Sequence, residues 1–415
     1  MTASEPFSES ASKSPIAIGT DRYRMLAQAI AGQPLPLALL DLDLLEANAQ
    51  AMLDRAGSLP IRLGSKSIRC VEVMQRVQAL SPRFQGLLCY SAREAAWLST
   101  QGFDDLLVAY PTIDRTDIEA AAASLKAGRR IVLMVDDAEQ VTALAAQARA
   151  LGVKLLLCID LDMSMSLPGL HFGVRRSPVT TPAQTVALAQ AIAAHPAELK
   201  LVGLMGYEGQ IAGLQDALPG KAIKNAIVRA LKRRSIVQLT ARRCACVAAL
   251  REAGFSLEFV NGGGTGSLES TREDSSVTEV AAGSGLYSPG LFDHFAAFHH
   301  QPALCFVLQA VRRPLPDVVT CAGGGYIASG PAGVDRLPVP YLPAGMTLLP
   351  LEGAGEVQTP VTLPQSTQLA IGDPVFFRHA KAGELAERFD HFLLLRNGAI
   401  VGSAPTYRGQ AQNFF

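Results

Sequence analysis

Charge is scarce in this chain, and neither sign is in surplus. Asp, Glu, Lys and Arg make up 18% of the 415 residues, below the ~25% usual for soluble domains, so much of the chain is interior or is covered by another subunit. The 37 basic and 37 acidic side chains cancel. That balance argues against nucleic acid or an anionic membrane as partner, since both select a basic excess. Cysteine is sparse and unpatterned. The seven thiols (Cys70, Cys89, Cys158, Cys244, Cys246, Cys305, Cys321) are odd in number, sit mostly inside apolar runs and include no C-x-x-C. Buried reduced thiols fit that usage better than disulfides or a structural zinc site, and point to the cytoplasm. Cys244 and Cys246 read as two helix residues rather than a metal pair. No uninterrupted apolar run reaches the ~20 residues of a membrane helix. The opening run MTASEPFSESASKSP has no apolar core and reads as a disordered tail over residues 1–15, not as a signal peptide.

What the chain does have is a repeating pair of signals. Near-continuous apolar runs at Ile61–Lys66, Phe84–Ser91, Leu106–Pro111 and Ile131–Asp137 suit strands buried on both faces. Further strand candidates follow at Lys154–Asp162, Leu201–Gly209, Leu257–Gly263 and Glu279–Tyr287. Amphipathic stretches such as SAREAAWLSTQG and DAEQVTALAAQARALG lie between them, opening on Ser or Asp and closing on Gly as helix caps require. Eight strands alternating with helices over about 250 residues predict a closed (β/α)8 TIM barrel, placed at 36–295. A doubly wound open sheet fits less well, because the glycine-rich elements come late in the chain. After residue 296 proline and glycine multiply and short β runs follow one another, among them a hairpin signal at Asn397-Gly398. Residues 296–415, with part of 16–35, are expected to form an all-β domain.

Barrel enzymes work at the C-terminal ends of their strands, and phosphate sites favour the loops after strands 7 and 8. Here those loops read Asn261-Gly262-Gly263-Gly264-Thr265-Gly266 and Ala282-Gly283-Ser284-Gly285-Leu286-Tyr287. Glycines let backbone N–H groups approach an anion, and Thr265, Ser284 and Tyr287 add hydroxyl donors. The first strand ends at Lys66, expected to face the barrel mouth opposite that cup. A lysine and a phosphate cup together are what pyridoxal phosphate needs, with its aldehyde at one end and its phosphate at the other.

These residues also carry a family resemblance. The run LALLDLDLLEANAQAMLDRAG…IRLGSKS, then NGGGTG and AAGSGLY, resembles the fold-type III pyridoxal-phosphate enzymes, the alanine-racemase-like barrels. Within them it is most similar to the D-threonine aldolase and D-serine dehydratase branch, over nearly the whole chain. The resemblance implies an internal aldimine on Lys66, with the phosphate held by Gly263, Gly264, Thr265, Gly283, Ser284 and Tyr287. It implies a homodimer in which the β domain borders the active site, and a small amino-acid substrate. Metal-dependent members of the branch carry paired ligands after a Gly-Asp-x-Val strand. This chain keeps the strand as Gly372-Asp373-Pro374-Val375 and a histidine as His379, but puts Lys381 at the second ligand position. A protonated ammonium cannot ligate zinc, so no metal is expected. His379 would be a ligand only if one is present, with Glu356 or Glu384 as its companion. Lys381 is then expected to lend positive charge in the substrate pocket. His379 is expected to be the base that takes the β-hydroxyl proton, as an imidazole takes and returns a proton near neutral pH.

Other positions carry weaker expectations. His171 stands near the place where the family carries an arginine, toward the pyridine nitrogen, with Arg175 as its rival. Tyr207 lines the cofactor pocket at the end of strand 6, and Gln210 stands where the family has a histidine near the substrate. Asp160 and Asp162 are expected to share a face of strand 5, capping the next turn or orienting the cofactor. His294, His299 and His300 read as a solvated hinge. The function expected is a lyase for D-β-hydroxy amino acids, by retro-aldol cleavage or by dehydration. An amino-acid racemase is the alternative, needing a second base such as Tyr326, Tyr341 or Tyr407. A non-catalytic pyridoxal-phosphate carrier and a barrel for some other phosphorylated metabolite stand further off.

Overall fold

The computed structural model describes residues 15–414, with side chains from Thr20 onward. Residues 1–14 of the expected tail lie outside the described residues, and Pro15 opens helix Pro15–Ala29. The chain divides into two units. One comprises Leu40–Leu304, Lys381–Phe392 and the chain from Ser403 onward; the other comprises the chain up to Leu39 with Cys305–Ala380 and Leu393–Gly402.

The first unit is the closed parallel barrel read from the alternating pattern. Its strands are Ile61–Gly64, Phe84–Cys89, Leu106–Val108, Ile131–Val135, Leu155–Asp160, Leu199–Gly206, Phe259–Gly262 and Glu279–Ala282, each paired with the next. The ring closes where the eighth meets the first, Val280 against Ile61. Strand interiors are continuous apolar runs because one face fills the barrel and the other meets helices. Leu107, Val132, Met134, Cys158, Val202 and Phe259 pack into one buried cluster. Every strand but the eighth ends one to three residues before its apolar run does, and the eighth ends five before; the sixth also starts two residues earlier, at Leu199. Those overhanging residues form the turns at the C-terminal ends of the strands. Side-chain caps set the helix starts. Ser91 caps Ala92–Thr100, Asp114 caps Arg115–Lys126, Asp137 caps Ala138–Leu151, and Thr181 with Gln184 forms a capping box on Pro182–Ala193. Cys244 and Cys246 are indeed helical, within the 31-residue helix Ala222–Glu252, and all seven cysteines are free thiols.

The second unit is built on a nine-stranded sheet. Its long strand Leu304–Leu315 pairs with Val318–Ala322 and with Pro374–Arg378. Leu26, Ile30, Leu39, Val307, Phe376 and Leu395 form its buried core. The predicted hairpin joins His391–Arg396 to Ala399–Pro405. Asn397 and Gly398 both have positive φ (51° and 76°), as the tightest hairpin turn demands. Among the described residues no helix is long and apolar enough to cross a membrane.

Candidate active site

At the C-terminal ends of the barrel strands, contacts run round the mouth. Lys66 lies in the one-turn helix Ser65–Ser67 that follows strand 1. Its Nζ donates to the Tyr110 hydroxyl at 2.9 Å, and Tyr110 stands just past strand 3. Burial would raise the Tyr110 phenol, but the Lys66 ammonium and Arg176 outweigh it and hold the phenol below its ordinary value. The Arg176 guanidinium lies 5.5 Å from the Tyr110 ring and 5.1 Å from the Tyr207 ring, within cation–π range of both. Tyr207 in turn abuts the strand-7 loop: a Cβ on Gly264 would stand 3.2 Å from its ring. That loop joins the strand-8 loop where the Gly285 N–H donates to Thr265 Oγ1 at 3.0 Å. Ser284 Oγ and Ser67 Oγ, 2.9 Å apart, bring the ring back to Lys66. Because strand 8 neighbours strand 1, the strand-8 loop lies beside the lysine turn and not opposite it as the reading of strand ends had it.

The two loops are braced from behind. Glu208 accepts the Gly263 N–H at 2.6 Å and pairs with Arg243, which also binds Asp274 at 2.7 Å and is 2% exposed. Arg55 donates to the Thr265 carbonyl at 2.6 Å, pairs with Glu269 and lies over the Phe298 ring. His300 is no solvated hinge. Its Nδ1 lies 3.1 Å from the Gly285 carbonyl and its Nε2 3.2 Å from Arg55, so Nδ1 carries the proton. Burial, then the Arg55 charge, lowers this imidazole to about 4. A Cβ on Gly283 would stand 2.7 Å from the Gly64 carbonyl, so the loop and the lysine turn interlock through glycine. Thr265 and Gly266 open a short turn and have no partner for their N–H groups within it.

Several expected residues are placed differently. Tyr287 is fully buried; its hydroxyl donates to the Ile68 carbonyl at 3.0 Å and its N–H to Ser284, so it fastens the lysine turn. Gln210 is buried and donates to the Met163 carbonyl at 2.7 Å and to Ser235 at 2.9 Å, tying its short helix to the long one. His171 sits on the hairpin Met165–Leu167 and Leu170–Phe172, 3.4 Å from Ser166 Oγ. Asp162 lies beyond strand 5, where it accepts the Ser164 N–H at 2.9 Å and so caps the turn. Asp160 ends the strand. Burial, with Asp136 nearby, pushes its carboxyl up to about 7 against the pull of Arg176. His379 follows strand Pro374–Arg378 of the second unit and is 2% exposed. Lys381 belongs to the barrel unit, its Nζ 3.7 Å from Glu384. Tyr110, Arg176 and Glu208 were missed. The signal for Tyr110 and Glu208 was their place just past a barrel strand; Arg176 lies 16 residues beyond Asp160, behind a hairpin with no pattern of its own.

Known proteins resemble this chain in sequence and in fold. The chain is 29% identical to a 3-hydroxy-D-aspartate aldolase of Paracoccus denitrificans over 251 residues, 60% of this chain and 59% of that protein. It therefore spans somewhat under two thirds of that relative's length. It is 28% identical over 307 residues to a D-threonine aldolase of an Arthrobacter species, 71% of this chain and 73% of the relative. The crystal structure of D-threonine aldolase from Filomicrobium marinum superposes with a TM-score of 0.77 at 22% identity, covering 91% of this chain and 95% of that one, which shows a shared fold. Residues 40–289 match the family described as alanine racemase, N-terminal domain. That stretch is more than half of the chain and contains the whole ring of contacts around the mouth, so the protein belongs to the alanine racemase N-terminal domain family.

Proposed function

We propose that this protein is a pyridoxal-phosphate-dependent lyase that cleaves D-configured β-hydroxy amino acids between Cα and Cβ, releasing glycine and an aldehyde. The observation that carries the reading is the contact ring itself. It sets one exposed amine, Lys66, beside a hydroxyl-lined and amide-lined cup, in a chain whose relatives are named for aldolases of such substrates. The donor set suits the cofactor. Ser67, Ser284 and Thr265 hydroxyls with the Thr265 and Gly266 amides would hold a phosphate without Lys or Arg, with Gly263, Gly264 and Gly283 shaping the loops. Lys66 would take the aldehyde end and Tyr207 would line the ring face. Bound there, pyridoxal phosphate supplies a sink for the electron pair left at Cα.

The chain's own residues handle protons and charge. Tyr110, held below its ordinary pKa, accepts the Lys66 hydrogen bond and keeps that amine at the mouth. Arg176, across the Tyr110 and Tyr207 rings, meets an anionic group of the substrate. Asp160 stores a proton near neutral pH. We assign His379 as the base for the β-hydroxyl proton and Lys381 as a cation of the pocket that stands in for a metal; His171 and Gln210 remain the candidates for the pyridine nitrogen and the substrate. Homodimer formation in the cytoplasm completes the reading. Its support is the free thiols and the exposed Ile223, Ile227 and Val237 along one face of the long helix.

The test is incubation with pyridoxal phosphate and borohydride, peptide mapping, and product analysis on D- and L-threonine and D-3-hydroxyaspartate. Label on Lys66 with glycine and aldehyde from the D-substrates is the expected result. Keto acid and ammonia would make the protein a dehydratase, D/L interconversion a racemase, and absence of label would overturn the reading.

A further inference from the structure

The stretches Lys381–Phe392 and Ser403 onward leave the β unit and return to the barrel unit, and both end on the turn that carries Lys66. Tyr407 is 1% exposed. Its N–H donates to the Arg69 carbonyl at 2.9 Å and its hydroxyl to Glu94 Oε1 at 2.9 Å. Glu94 is fully buried in the first turn of helix Ala92–Thr100. Its Oε2 accepts the Tyr90 N–H at 2.7 Å, and the Ser65 hydroxyl stands between this carboxylate and the Leu88 carbonyl at 3.1 Å. Arg69, held at a φ of 50°, donates to the Lys66 carbonyl at 3.1 Å and pairs with Glu387 at 2.6 Å. Gly383 passes so close to the Lys66 carbonyl that a side chain there would overlap it, and its φ of 89° favours glycine anyway. Trp97, Tyr407 and Phe414 pack edge to face and tilted, with centroids 5.0 to 5.8 Å apart.

We propose that Tyr407 and Glu94, with Arg69 and Glu387, are positioning residues that hold the Ser65–Arg69 turn so that the Lys66 amine meets its partners at a fixed place. None of the four need touch substrate. Buried carboxylates rarely stand without a full set of donors, and the donors Glu94 gathers come from the lysine turn, from Tyr90 just past strand 2 and from Tyr407. A purely structural tie would have no reason to converge on residues 65–69 from every side. The inference rests on Lys66 being the cofactor lysine.

Tyr407→Phe and Glu94→Gln, each checked for fold by circular dichroism and melting, are the test in the full-length protein loaded with pyridoxal phosphate. Label on Lys66 after borohydride should persist. The pH midpoint of the bound cofactor's absorbance should move by about half a unit or more, and kcat should fall about tenfold with KM little changed, as a small misplacement does. Amide hydrogen exchange of the 60–70 peptide should quicken. Glu387→Gln, at a partly exposed carboxylate, should move the same readouts in the same direction by less, and carries the test if a buried variant does not fold. Labelled wild type with the midpoint, kcat and exchange unchanged in the variants would overturn this inference alone. An unlabelled wild type would overturn the functional reading and this inference with it.

Discussion

The two ends of the barrel handle charge in opposite ways, within a few residues of one another on the same strand. At the N-terminal end, Arg62 pairs with Glu279 at 2.7 Å and Asp105 at 2.8 Å, and Asn261 donates to Glu279 at 2.8 Å. Arg62 is 2% exposed, and all three nitrogens of its guanidinium are hydrogen-bonded. At the C-terminal end, among the described residues, neither Lys66 nor Arg176 has a carboxylate in ion-pair range, and Asp160 is buried with a carboxyl pushed up to about 7. A closed set of pairs fixes geometry and offers nothing to a ligand. An open set leaves charge and protons to be completed by one. Paired charges also brace the C-terminal end from behind, Arg243 with Glu208 and Arg69 with Glu387; what separates the mouth from its braces and from the far end is pairing, not burial.

The comparison can be broken by exchanging which end responds to what. Lys66→Ala should abolish borohydride labelling and cut turnover by more than about 10⁴-fold, while the melting temperature barely moves. A large drop in melting temperature would mean that the mouth is structural after all. Arg62→Ala leaves Glu279 buried without its cation and should cost about 3–5 kcal/mol by urea unfolding, with kcat of the folded fraction unchanged.

Asp160→Asn sharpens the contrast through pH. The native carboxyl is raised to about 7, so the native state holds that proton more tightly than the unfolded chain does. The stability this contributes is complete below the unfolded value and is lost as pH rises through 7. The variant should therefore gain on wild type between about pH 4 and about pH 8, by on the order of a few kcal/mol. A constant difference across that range would remove Asp160 from the proton inventory of the mouth. Arg176→Met has the smallest expected effect. It should leave stability within about 0.5 kcal/mol and lower kcat/KM about 10- to 100-fold, the size of one charge-assisted hydrogen bond. Steady-state kinetics beside a melt decides it.

Much of the barrel was legible because its strands are buried on both faces and so read as unbroken apolar runs. The strand ends were not, since Gly-Ser-Lys and Gly-Gly-Gly-Thr continue a run while the backbone is already turning. The lysine turn and both loops were legible as turns by their place after strands 1, 7 and 8, which the structure gives them. Tyr287 shows the limit of that method: its position suggested a phosphate donor, while its hydroxyl is spent on Ile68. The return of Lys381–Phe392 and the C-terminal residues to the barrel unit left no trace in periodicity, because an apolar pattern marks a buried face without naming the body that buries it.

One ring in that C-terminal packing has a practical consequence. Trp97 is the chain's single tryptophan, and its neighbours are Tyr407 and Phe414, at 5.0 and 5.5 Å. Intrinsic fluorescence excited at the red edge of the absorption band, where tyrosine does not absorb, therefore comes from one indole seated beside Tyr407 and Phe414. Trp97 is half-buried, so release of that segment would expose the indole further and shift its emission to the red, with no label added. Stopped-flow emission after mixing with pyridoxal phosphate would then time the seating of that segment against binding of the proposed cofactor, and so order the two events.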